Sequence, residues 1–207
     1  MSSRLLSSVF VALALVACEE PIATTEVPVD PGPETPIDLG LDPARPRRRM
    51  DVEQLDRSIE RATGRRWMSG TTALFESNAR TLGVPDYLAT TNEDREVSAL
   101  FLKFVDDAAR SVCTSLVAAD ADAAAADRIF FVHAEPAMTL AADGAAIDEN
   151  LRYLLLRFHG RRIEEGAPDL AVWHDLFGDA RAATEDPEEA WRTVCVALID
   201  HPDFYTY

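Results

Sequence analysis

Between positions 92 and 119 the apolar residues recur at helical spacing. Leu100, Phe101, Phe104, Val105, Ala108, Val112, Cys113 and Leu116 fall on one face. Alternation would be needed for a strand; steps of three and four sustained over this length describe an amphipathic helix with a buried stripe. Asn92 is placed to cap it.

The same period, with helix start and stop signals, runs through most of the chain from Asp51 on. Asp51 caps a helix with Val52, Leu55, Ile59 and Ala62 inward, stopped by Gly64. A short helix is predicted over 71–82, with Leu74, Phe75 and Leu82 inward, and 85–91 reads as loop. Residues 120–128 continue or restart helix, and the apolar run 129–133 fits strand or helix. Asp143 caps a helix carrying Ile147, Leu151, Leu154, Leu155 and Phe158, closed by Gly160. Pro168 opens the next, with Leu170, Val172, Trp173, Leu176 and Phe177 inward. Asp186, Pro187, Glu188 and Glu189 give the last helix its cap, its first turn and its dipole complement. Its apolar face is Trp191, Val194, Cys195 and Leu198; Pro202 ends it, and Phe204, Tyr205 and Tyr207 form an aromatic tail expected to fold back on the core. The expectation is an all-α domain of six to seven helices over 50–207.

An echo runs through these helices. Glu53, Leu55, Arg61, Gly64, Arg65 and Arg66 recur at the same spacing as Glu149, Leu151, Arg157, Gly160, Arg161 and Arg162. Gly83-Val-Pro85-Asp86 is echoed by Gly166-Ala-Pro168-Asp169, and the surroundings of Cys113 by those of Cys195. Read as a duplication, this gives pseudo-repeat units at 51–119 and 145–200. The alternative is that helix ends draw on a small alphabet, with Gly after the last turn and Arg beside it.

Ahead of the domain, Arg4 precedes a short apolar run over 5–14, too short for a lasting membrane span. It leads into Leu15-Val16-Ala17-Cys18, which resembles the lipobox of bacterial lipoproteins. The resemblance implies a signal peptide over 1–17, cleavage before Cys18, and acyl chains on Cys18 that anchor the protein to membrane lipid. That places it in a bacterial cell envelope. Residues 18–49 hold seven prolines and many acids. Such a segment buries too little apolar surface to offset its ordering entropy and reads as a disordered tether. Arg45, Arg47, Arg48 and Arg49 close it as a solvated boundary or a contact for anionic headgroups.

Chemistry is sparse. With Cys18 lipidated, Cys113 and Cys195 remain as one pair on inward helix faces, and a structural disulfide between them is the natural reading; two buried thiols are the alternative. His133, His159, His174 and His201 show no metal-ligand spacing, so no metal and no cofactor is assigned. His159, just before Gly160, is expected to serve the last carbonyls of its own helix. The pairs Arg65/Arg66 and Arg161/Arg162 complement helix ends and bridge to acids, or clamp a carboxylate or phosphate. A net charge of −16 argues against nucleic acid, whose recognition needs a positive footprint.

Leu154-Leu-Leu-Arg157-Phe-His-Gly160-Arg161, with Ala190, Trp191, Cys195, Ala197, Leu198, Pro202, Phe204 and Tyr207, resembles the last helices of helical domains of unknown function in planctomycete-type cytochrome-c-associated surface proteins. The stretch 49–64 is similar to their opening helix. The resemblance implies an exported protein in the company of haem-c modules and supplies no catalytic residues. This chain departs from the pattern in lacking the C-x-x-C-H motif of covalent haem attachment. The expected function is therefore a non-catalytic scaffold or partner of an unidentified envelope protein. The rivals are a metal-dependent hydrolase using His133, His174 or His201, and a redox partner of a cytochrome-type system.

Overall fold

The computed structural model describes residues 48–184 and 186–207. Cys18 and the tether expected over 18–49 lie, apart from Arg48 and Arg49, outside the described residues. From residue 48 on the domain is mostly helical, as expected. The order is α1 (Val52–Thr63), β1 (Met68–Ser69), β2 (Thr72–Ala73), α2 (Leu74–Ser77), α3 (Ala99–Ala121), a 3-10 turn (Ala125–Asp127), α4 (Leu140–His159), α5 (Pro168–Ala183), α6 (Pro187–Asp200) and α7 (Pro202–Tyr205). Among the described residues no helix is long and apolar enough to cross a membrane.

The core is built around α6, which packs on α3 and α5. Trp191 is fully buried there. Its ring lies 4.5 Å from that of Phe177, 5.6 Å from Phe131 and 6.0 Å from Phe130, between centroids. Cys113 of α3 and Cys195 of α6 form a disulfide, with Cα atoms 5.8 Å apart. That spacing is the ordinary one for a bridge and brings the inward faces of the two helices together.

Helix ends follow the local signals. Asp51 caps α1 in a reciprocal box with Gln54, and Gly64 closes it in the left-handed conformation at φ 65°. Gly160 closes α4 with the same φ. Arg157 then crosses from α4 to α1, its Nε donating to the carbonyl of Ala62 at 2.7 Å. The corresponding Arg61 is exposed, so the two echo positions have different duties. The middle echo also diverges. Pro168 opens α5, whereas Pro85 lies in a run of turns and extended chain over 84–98.

Three expected elements differ. The helix predicted over 71–82 is a two-residue hairpin turning at Gly70 (φ 57°), followed by one helical turn, α2. The helix expected from Asn92 begins at Ser98, whose hydroxyl accepts from the amide of Phe101. The reason is competition, because backbone groups of 93–96 are already engaged. The amide of Asp94 donates to Gly83, and the carbonyls of Asp94 and Glu96 accept from Arg49. Leu100, expected inward, is exposed in the first turn of α3. The helix expected from Asp143 begins a turn earlier, at Leu140, and Asp143 marks a kink in it. Val172, expected inward on α5, is exposed.

Arg49 is the largest departure. Read as part of a solvated boundary, it is only 2% exposed. Its Nε donates to the carbonyl of Glu96 at 2.9 Å, and Nη2 donates to those of Leu82, at 2.9 Å, and Asp94. Nη1 reaches the carbonyl of Met50 and the carboxylate of Glu93. The guanidinium also stacks 4.6 Å above the Phe101 ring. Around it the two ends of the domain pair, Arg48 exchanging both backbone bonds with Tyr207, and Met50 donating to Tyr205.

Two outcomes follow. Arg49→Ala leaves the buried carbonyl of Leu82 without a donor, at about 1–3 kcal/mol, and returns the partly buried carbonyls of Met50, Asp94 and Glu96 to water; it is expected to lower the melting temperature with faster amide exchange across 82–96. Arg49→Lys keeps the charge but not the planar fork and is expected to recover only part of the loss. Replacing both bridged cysteines with alanine is expected to lower the melting temperature without changing helical circular dichroism. Closing an 82-residue loop contributes about 4.5 kcal/mol at most by chain entropy.

Candidate functional site

At the corner where the end of α4 meets the α6–α7 junction, His159, His201 and Asp203 converge. Each can present a ligand atom within 4.8 Å of the others. Helix ends place all three. His159 is the last residue of α4, before Gly160. His201 separates α6 from α7, held there by Pro202, and its Nδ1 accepts from the amide of Asp203 at 3.1 Å. Asp203 sits in the first turn of α7, and Arg161, just past the α4 cap, donates to its carboxylate at 3.3 Å. Arg161 also binds Asp169 of α5.

The imidazoles of His159 and His201 stack with centroids 4.8 Å apart. Trp173 of α5 packs beside them, 5.6 Å and 5.9 Å from the two rings. His159, expected to serve the last carbonyls of its own helix, does not do so. Its Nε2 lies 2.8 Å from the carbonyl of Leu198 near the end of α6. A carbonyl only accepts, so Nε2 carries the proton and Nδ1 the lone pair. Nδ1 is buried and has no hydrogen-bond partner. Burial is the main cause that pushes His159 down to about 4, so the ring is neutral at ordinary pH. This corner thus gathers two imidazoles and an oriented carboxylate.

A second cluster adjoins it. Asp200 of α6 lies beside Asp106 and Arg110 of α3, close enough for their charges to act on it. Loss of solvent, then the charge of Asp106, pushes Asp200 up to about 6. Asp200 borders a groove of about 700 Å³ whose lining includes Arg110, Thr114, Arg192, Val196 and His201.

The other histidines stand elsewhere. His133 packs edge-on against Tyr153 and lies 3.7 Å from the carboxylate of Glu149. His174 lies 3.7 Å from that of Asp175 on the outer side of α5. Neither joins the corner, so the structure does not gather His133, His174 and His201 into one site. Of the arginine pairs, Arg66 binds Asp56 and Glu76, and Arg161 binds Asp169 and Asp203, the acid bridging expected of them. Cys18 lies outside the described residues. Sequence reasoning did not single out the pairing of His159 with His201, 42 positions apart, nor Asp106 with Asp200. The only local signal was that His159, Asp200 and His201 each lie at a helix end, while Asp106 stands inside α3.

No protein-family model, curated protein or solved structure matches this chain.

Asp200 and His159 titrate with opposite consequences. The Asp200 carboxyl lies above its ordinary value of 3.8. Folding therefore binds its proton more tightly, and its ionised form weakens the fold above about pH 6; that weakening is relieved as pH falls toward 4. His159 lies below its ordinary 6.5. Its contribution is full above that value and is lost as pH falls through about 4. Asp200→Asn keeps the side chain's size and removes its charge. It is expected to raise the melting temperature at about pH 7.5 and to change it little at about pH 4.5. An equal shift at both values would contradict this assignment.

Proposed function

We propose that this chain is an exported lipoprotein, held to a bacterial envelope membrane by acyl chains on Cys18, with residues 50–207 serving as a non-catalytic scaffold or partner in an envelope complex. The observation that carries the reading is how the three cysteines are used. Cys18 alone follows Leu15-Val16-Ala17, and Cys113 and Cys195 are bonded to each other in the core. Structural disulfides persist in oxidising compartments, which supports export. Two or more acyl chains on one residue anchor stably where one binds only marginally. For the partner role, Tyr87 and Leu88 project into solvent from the segment that Arg49 pins, Leu88 at 98% exposure. Tyrosine is a frequent anchor at protein interfaces.

Metabolic labelling with a palmitate analogue is expected to mark the wild-type chain. Cys18→Ala is expected to lose the label and leave the membrane fraction. Absence of label, with membrane association unchanged by Cys18→Ala, would overturn the anchor. A photo-crosslinking residue at Leu88, activated in the native envelope, is expected to capture a defined protein. Failure there would leave the anchor standing and remove this face as the docking site.

A further inference from the structure

We propose that His159, His201 and Asp203 form a binding site for one divalent transition-metal cation of the zinc class. Two imidazoles and a carboxylate are ligands that zinc takes, and three protein ligands leave a fourth position for water or an incoming donor. The reading is independent of the membrane anchor.

His159 carries most of the argument. Histidines that ligate metals donate their other ring N–H to a carbonyl or carboxylate, which fixes the tautomer and the ring. His159 has that arrangement, with Nε2 on the carbonyl of Leu198. The lone pair is left on Nδ1, buried and without a partner. A buried acceptor in that state calls for an explanation, and a cation at Nδ1 supplies one. Asp203 has the outer support expected of a ligating carboxylate, through Arg161. Trp173, only 8% exposed, walls the corner beside both rings.

Binding requires a modest closure. The ligand atoms lie within 4.8 Å of one another, and atoms sharing a tetrahedral zinc at about 2.0–2.1 Å stand roughly 3.3 Å apart. His201 and Asp203, half-buried at the end of the chain, are the residues placed to move. The cation must displace contacts they already make, including the Asp203 amide on His201 Nδ1 if that nitrogen becomes the ligand.

The test is calorimetric titration of the full chain, in detergent and stripped of metal, with zinc chloride. The expected result is one zinc per chain and a higher melting temperature on binding. His201→Ala and Asp203→Ala are each expected to weaken binding at least about tenfold, while His133→Ala and His174→Ala leave it unchanged. His201→Ala spares the interiors of α4 and α6, so it tests the site even if a His159 variant fails to fold; circular dichroism checks its fold. Absence of stoichiometric binding would overturn the proposal, as would binding that survives both His201→Ala and Asp203→Ala, or that depends on His133 or His174.

Discussion

The contact between α3 and α6 is the one on which the other packing depends. Val112 and Leu116 on one helix and Val194 and Leu198 on the other are buried along it, and the Cys113–Cys195 bond holds their register. With α6 placed, Trp191 becomes the common surface for Phe177 of α5 and for the Phe130–Phe131 segment. The cross-link joins residues 82 positions apart and so acts mainly on the unfolded chain, by denying it open conformations. The apolar faces then need only choose among arrangements that already bring these helices together.

Where helices are absent, buried polar side chains hold the backbone instead. The 129–133 run forms neither strand nor helix. Its amides at Ile129, Phe130 and Phe131 all donate to the carboxylate of Asp120. Asn150 completes it, accepting from the amide of His133 and donating to the carbonyl of Phe130. Arg49 does the complementary work over 82–96, supplying donors where Asp120 supplies acceptors. Backbone groups withdrawn from water must be paired, and each of these irregular segments, one running into the core and the other largely at the surface, has a dedicated side chain.

These devices explain what could be read in advance. Helices with clear stripes and caps were legible: α1, α5 and α6 begin at the expected residues, and the aromatic tail packs inward through Phe204 and Tyr205. The Cys113–Cys195 pair followed from its faces. What escaped were polar residues with core duties. Asp120 continues the Val112–Leu116 step of four, and Asn150 lies one step of three after Ile147, so each interrupts a buried stripe at an inward position. Such an interruption is a legible sign that a loop nearby needs a partner. Arg49 gave no such sign, since its apolar context is assembled from Leu82, Phe101 and the chain's last residues. The His159–His201 corner was illegible for the same reason. Its members meet through the placement of two helix ends, which no local spacing encodes.

The joining of the domain's two ends has a mechanical consequence. Arg48 and Tyr207 exchange backbone bonds, and Met50 donates to Tyr205. A force drawn on the chain ahead of Arg48 therefore meets these few bonds, one of them to Tyr205 of α7, and the buried guanidinium of Arg49 before it reaches α1. Arg49 acts as a catch: its hydrogen bonds fan out to different carbonyls, so a pull must break several together rather than one after another. Until the catch yields, the load is shared with 82–96, with Phe101 of α3 and with the closing turn.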